Sequence, residues 1–308
     1  MLLAAISLLV GLCILVKAGD VFVEAAAQLA RSLNVSSVII GAIVLGFGTS
    51  APELVVSTIA AARGNAALGV GNIVGSNVAN LSLVLGVAAL VTPIALSASV
   101  IRRQAPLSIA AVAAFALAVW DGELNRSDGI ILLVLLIVAM IVLIRTPDEA
   151  AISEATSETS ITRSLLMSLL GLAGVLLGAQ LAVSGATKLA ESWGLSGGFI
   201  GFSLVALGTS LPELVTAVAA ARKNEAGLIV GNLFGSNLFN GLAGGAAMGL
   251  ANAGQIGDSK LTTGALLAML GAVIWAYARG ALKKRIGKAD ALMLLGIYIA
   301  SMVYLAAG

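Results

Sequence analysis

Two short blocks each occur twice in this chain, and both are built from residues that bind hard cations. GTSAPELVVS at 48–57 returns as GTSLPELVTA at 208–217, and GNIVGSNVAN at 71–80 returns as GNLFGSNLFN at 231–240. Each pair offers one carboxylate, Glu53 or Glu213, among uncharged oxygen donors. If the chain is locally helical, Thr49 and Glu53 lie four residues apart on one face with Ser50 beside them. Asn72, Ser76 and Asn80 share the same spacing on the following helix, and Thr209, Ser210, Glu213, Asn232, Ser236 and Asn240 repeat the pattern. Carboxylates, hydroxyls, amide oxygens and carbonyls are the ligands that Ca2+ takes at about six to eight coordination, and Na+ suits the same donors. The chain has no histidine, so a metal site must be made of oxygen.

The two prolines sharpen this expectation. Pro52 and Pro212 each remove a helical N–H and clash with the carbonyl four residues earlier, at Gly48 and Gly208. Loosening there is expected to free the carbonyls of Gly46 and Ala206 for a cation, because irregular backbone at membrane depth is tolerated where it is buried or lines a cavity. The bland alternatives are an ordinary proline kink, hydroxyls that bond back to their own helix, and a protonated structural pair of glutamates. Recurrence of each glutamate in the same setting favours a cation site. Gly71, Gly75, Gly231 and Gly235 read as packing positions. Asp20 and Glu24 read as solvated or vestibular, and Glu225 as a loop residue.

The elements that position these residues are membrane helices. Of 308 residues 59% are hydrophobic and 10% charged, and the mean hydropathy is +1.07. A soluble domain could not keep a wettable surface with that composition. Apolar runs long enough to cross a core of roughly 30 Å recur throughout. They predict ten spans, at 2–30, 35–62, 66–91, 104–120, 128–145, 163–190, 197–221, 226–250, 261–279 and 289–306. The opening MLLAAISLLVGLCILV lacks a basic start and reads as a retained helix rather than a signal peptide. The single cysteine, Cys13, allows no intramolecular disulfide.

Residues 41–80 align without a gap on 201–240 at an offset of 160, with 19 of 40 positions identical. Gly11 and Gly171 extend the match to the first and sixth spans. The only linker-like stretch, TPDEAAISEATSETSIT at 146–162, divides the spans five and five. The predicted fold is therefore all-α and integral to the membrane, with ten transmembrane helices as two inverted five-helix repeats. The first covers 1–145, the linker 146–162 and the second 163–308. An odd number of spans per repeat makes the second enter from the opposite side. With the N-terminus outside, twelve Lys and Arg fall in the cytoplasm against four outside, a positive-inside bias. Both termini are then expected outside and the linker in the cytoplasm.

GTSxPEL followed by GNxxGSNxxN, twice in ten helices, resembles the Ca2+/cation antiporter superfamily and its Na+/Ca2+ exchangers over essentially the whole chain. The resemblance implies a secondary antiporter of a prokaryotic cell membrane that exchanges Ca2+ for Na+, with both ions as substrates and no cofactor. It implies ligands at Thr49, Ser50, Glu53, Ser76 and Asn80, and at Thr209, Ser210, Glu213, Ser236 and Asn240. It also implies that the first and sixth helices slide across the rest to alternate access. One departure is that several sodium-coupled relatives have aspartate where this chain has Asn240. The runner-up is the same fold exchanging Ca2+ against H+ or with K+ involved. Enzyme chemistry is not expected, since no histidine stands beside any serine and no paired-aspartate site exists. No nucleic acid or obligate protein partner is indicated beyond the lipid bilayer, and a linker of this length has no room for a Ca2+-sensing domain.

Overall fold

The computed structural model describes residues 1–145, 160–193, 206–251, 254–258 and 261–306. Most of the linker, the start of the predicted 197–221 span and the first residues of the second repeat block lie outside them. Among the described residues the fold is helical, with strands only as two-residue bridges. Among the described residues six helices are long and apolar enough to cross a membrane, and a bent pair, Ser37–Thr49 with Ala51–Ala62, makes a seventh.

Helix α1 (Leu2–Leu33) ends at Asn34, which takes the left-handed conformation that closes a helix. Ser36 caps α2 (Ser37–Ile40) by accepting from the Ile39 amide. The chain then passes through a widened helical stretch, Gly41–Gly46, into α3 (Phe47–Thr49) and, after a 45° bend at Ser50, into α4 (Ala51–Ala62). Gly64 turns the chain at positive φ, and its counterpart Asn224 does the same, both residues that accept this geometry at low cost. Asn65 caps α5 (Ala66–Ala79) by accepting from the Leu68 amide at 3.1 Å. The widened turns Asn80–Val84 lead into α6 (Leu85–Val91). Then follow α7 (Ala105–Ala118) and α8 (Arg126–Arg145). The second half runs α9 (Ile161–Ser192), α10 (Ala206–Thr209), α11 (Leu211–Arg222), α12 (Ala226–Phe239), widened turns Asn240–Gly244, α13 (Gly245–Leu250), α14 (Leu266–Lys283) and α15 (Lys288–Ala306).

Burial separates core from periphery. The span Ala66–Val91 is 78% buried, whereas α1 and α8 are each 22% buried over their apolar windows. Exposed Ile130, Val134, Ile137, Val138 and Ile141 form the outward face of α8, as expected where the solvent is lipid.

Contacts between halves are reciprocal at the 160-residue offset. Helices α1 and α9 pack antiparallel along glycines. A Cβ on Gly11 would lie 2.4 Å from the Ala182 nitrogen, and one on its counterpart Gly171 would lie 2.7 Å from Cα of Phe22, the counterpart of Ala182. The bridges are reciprocal nearly as closely, with Ile94 and Gly254 at an offset of 160 and Leu124 and Ile286 at 162. Strand β1 (Ile94–Ala95) pairs antiparallel with β4 (Arg285–Ile286), and β2 (Glu123–Leu124) pairs with β3 (Gly254–Gln255). Ile94 faces Ile286, and Gly254 faces Leu124. Close approach without side chains also sets the centre. A Cβ on Gly231 would meet the Val38 carbonyl at 2.3 Å, and one on Gly235 would meet the Ala42 Cα at 2.7 Å, so Gly41–Gly46 lies directly on the α12 backbone.

Candidate cation site

Both glutamates occupy the third position of a helix whose second residue is proline. The helices break beside both prolines, as the expected loosening requires, and the plain kink is not what is seen. Pro52 and Pro212 do not kink continuous helices; they open new ones, where a missing N–H costs nothing. The break falls one residue earlier, at Ser50 and Ser210. Each carboxylate therefore sits at the positive end of a helix.

The two halves exchange hydroxyls across this pair of breaks. Glu213 is bonded by Ser50 of the first half, whose Oγ donates to its Oε1 at 3.3 Å. Glu53 is bonded by Thr209 of the second half and by Ser76 Oγ, which donates to its Oε1 at 3.4 Å. Glu53 is 1% exposed and Glu213 0%, and they lie close enough for their charges to interact. On each, Oε2 is buried without a hydrogen-bond partner among the described residues. The Asn80 and Ser210 side-chain oxygens are likewise buried and unpartnered, as are both polar atoms of the Asn240 amide. Two buried acids without a cationic side chain among their partners, edged by unsatisfied oxygens, form a set that a hard cation would complete.

The expected residues converge to different degrees. Thr49, Ser50, Ser76, Asn80, Ser210, Ser236 and Asn240 are buried, Ser50 and Ser76 against the two acids, and Thr209 is half-buried. Thr49 Oγ1 lies 2.9 Å from the Leu45 carbonyl and 3.3 Å from Asn232 Oδ1. The Gly46 carbonyl, expected to be free, already accepts from the Ser50 amide and from Ser236 Oγ, each at 3.2 Å. Ala206 is the first residue of α10.

Four further residues escaped the sequence reading as members of this network. Asn237 accepts from Asn80 Nδ2 at 3.0 Å and donates to the Asn77 carbonyl at 3.0 Å. Both asparagines stand in the repeated GSN, so the repeat carried their signal. Asn72 Nδ2 donates to Ser57 Oγ at 2.9 Å and to the Glu53 carbonyl at 3.2 Å, while Asn232 Nδ2 donates to Thr216 Oγ1 at 3.1 Å. Ser57 and Thr216 are not counterparts in the repeat: Ser57 aligns with Ala217 and Thr216 with Val56. The same job is done from positions one residue apart, which no alignment of the halves could reveal.

The family model described as sodium/calcium exchanger protein matches residues 3–145 and 163–307. The chain belongs to the sodium/calcium exchanger family. This exchanger is 37% identical to the putative antiporter CaxA of Alkalimonas amylolytica, over 97% of each chain. It is 30% identical to the sodium/calcium exchanger MaX1 of Methanosarcina acetivorans, over 76% of this chain and 79% of that one. Among solved structures, the sodium-calcium exchanger NCX_Mj soaked with Na+ and Sr2+ superposes with a TM-score of 0.87 at 31% identity, covering 98% of both chains. The exchanger is thus a multi-pass membrane antiporter and not an enzyme.

Proposed function

We propose that this exchanger moves Ca2+ against Na+ by alternating access at a site centred on Glu53 and Glu213. The observation that carries the reading is the crossed arrangement of two buried carboxylates, one from each half, each with an unpartnered oxygen. Two negative charges removed from water cost several kcal/mol each unless compensated, and a divalent ion or a pair of monovalent ions compensates them. Thr49, Ser50, Ser76, Asn80, Thr209, Ser210, Ser236 and Asn240 supply the neutral donors. Gly46 and Ala206 add carbonyls once the Ser236 hydroxyl turns toward the ion.

The architecture we infer is ten spans in two inverted repeats, 1–145 and 163–308, joined by a cytoplasmic linker at 146–162, with both termini outside a prokaryotic cell membrane. The reciprocal α1–α9 and bridge contacts support the two-fold relation, and the Lys and Arg distribution supports the orientation. Helices α1 and α9 pack mainly on each other along a glycine seam, which suits a pair that slides as one body over the core.

Purified protein in liposomes tests the ion pair. An outward Na+ gradient should drive Ca2+ uptake, whereas K+ or pH gradients of equal size should not. Uptake driven only by the pH gradient, or only with K+ present, would replace Na+ as the coupling ion.

A further inference from the structure

Two cavities border the helices that carry the carboxylates; α1 and α9 line them with residues at the 160-residue offset, while the rest of each lining differs, and so does the charge. One, of about 280 Å³, is bordered by Leu176, Gln180, Thr209 and the two prolines. The other, of about 200 Å³, is bordered by Val16, Asp20, Leu214, Val218 and Arg222. Val16 is the counterpart of Leu176, and Asp20 of Gln180. The second cavity begins at Leu214, the residue after Glu213, and α1 closes on α11 there: a Cβ on Gly19 would lie 2.7 Å from Cγ1 of Val215.

Asp20 is the acid of this inner cavity, and it also borders a wider one of about 450 Å³ that holds Glu24, Gln28, Arg163 and Lys223. Its carboxylate is half-buried and makes no hydrogen bond or ion pair among the described residues, whereas nearby Glu24 is taken up by Lys223 at 2.7 Å. A carboxylate shared by two cavities, facing the Arg222 and Arg163 charges that repel cations, offers a passing cation a place to rest.

We propose that Asp20 is a way-station for the transported cation on the Arg222 side of the site, and that the opposite side, with Gln180 at the equivalent place, lacks one. This rests on the reading of Glu53 and Glu213 as the ion site. Asp20 gathers cations and hands them inward; it is not a ligand of the central ion. Access from the two membrane faces is therefore unequal although the repeats are alike.

The test measures initial Ca2+ exchange in uniformly oriented vesicles with Ca2+ supplied to one face or the other. Wild-type exchange establishes the central site first, so its absence would count against the previous reading rather than against Asp20. For Asp20→Asn the expected result is a KM for Ca2+ raised about three- to tenfold on one face only at low ionic strength, with kcat unchanged. Steering by a single charge should fade at high salt. Asp20→Glu should restore the wild-type KM, and Gln180→Glu should lower KM on the opposite face. Equal changes on both faces, a fall in kcat alone, or no change would overturn the proposal. Should Asp20→Asn fail to fold, the Gln180→Glu arm decides it.

Discussion

Ser50, at the helix break of the first half, donates its hydroxyl to Glu213 of the second half at 3.3 Å. Neither carboxylate is held by its own half alone, because Thr209 returns the favour to Glu53. Loss of one glutamate should then damage a shared site rather than one of two independent ones.

Glu53→Gln and Glu213→Gln keep the shape and hydrogen-bonding capacity of the side chain but remove one of two negative charges facing a desolvated cation. Each is expected to lower Ca2+ exchange at least about 100-fold, since a buried charge that loses its partner costs about 3 kcal/mol or more. Size-exclusion profiles should match wild type. Near-normal tracer Ca2+ flux in either variant would refute a shared site.

Asn240 contributes no charge, and both polar atoms of its amide lack a partner. On the proposed site, Asn240→Asp adds a third carboxyl group to the two glutamates, where mutual repulsion favours holding a proton. Exchange by the variant should depend on pH more steeply than wild type and fall as protons compete with cations. Superimposable pH–rate profiles would remove Asn240 from the ion path.

The α1–α9 seam should tolerate no added volume. On Gly178 a Cβ would lie 2.6 Å from the Leu15 nitrogen and 2.8 Å from its Cα, whereas Gly271 has nothing within 4 Å. Gly178→Ala is expected to destabilise by about 1–3 kcal/mol, the usual cost of overpacking, and Gly271→Ala should be neutral. Thermal unfolding in detergent compares them, and equal midpoints would contradict the packing.

Two ion pairs tie α1 to the α11–α12 loop, Glu24–Lys223 at 2.7 Å and Arg31–Glu225 at 3.5 Å, and Arg31–Glu24 at 4.0 Å links them within α1. Their side chains are roughly a quarter to a half exposed, so each pair is expected to contribute no more than about 1 kcal/mol. Glu24→Gln should therefore change turnover by at most about fivefold, and the change should vanish in a Lys223→Gln background. Additive effects in the double variant would show that the pair does not couple α1 to the core.

A glutamyl protease added to intact right-side-out vesicles should leave 146–162 uncut, since the orientation proposed from the Lys and Arg distribution sets it in the cytoplasm. Cleavage there would invert the proposed orientation.

The lipid setting, the two glutamates and the helix-forming segments were legible in the residues themselves. Composition decides the solvent, and a carboxylate in an apolar run is conspicuous whatever the fold. The repeat identified counterparts such as Asn80 and Asn240, because duplication leaves residue types at a constant offset. Tertiary structure decided the rest. Which hydroxyl serves which carboxylate depends on two helix breaks meeting from opposite directions, so Ser50 turned out to serve Glu213 and not Glu53. The Gly46 carbonyl met Ser236 because glycines let α12 approach within backbone contact. Ser57 and Thr216 took equivalent roles from positions one residue apart, because a hydrogen bond selects a place in space, and a repeat in sequence records only a place along the chain.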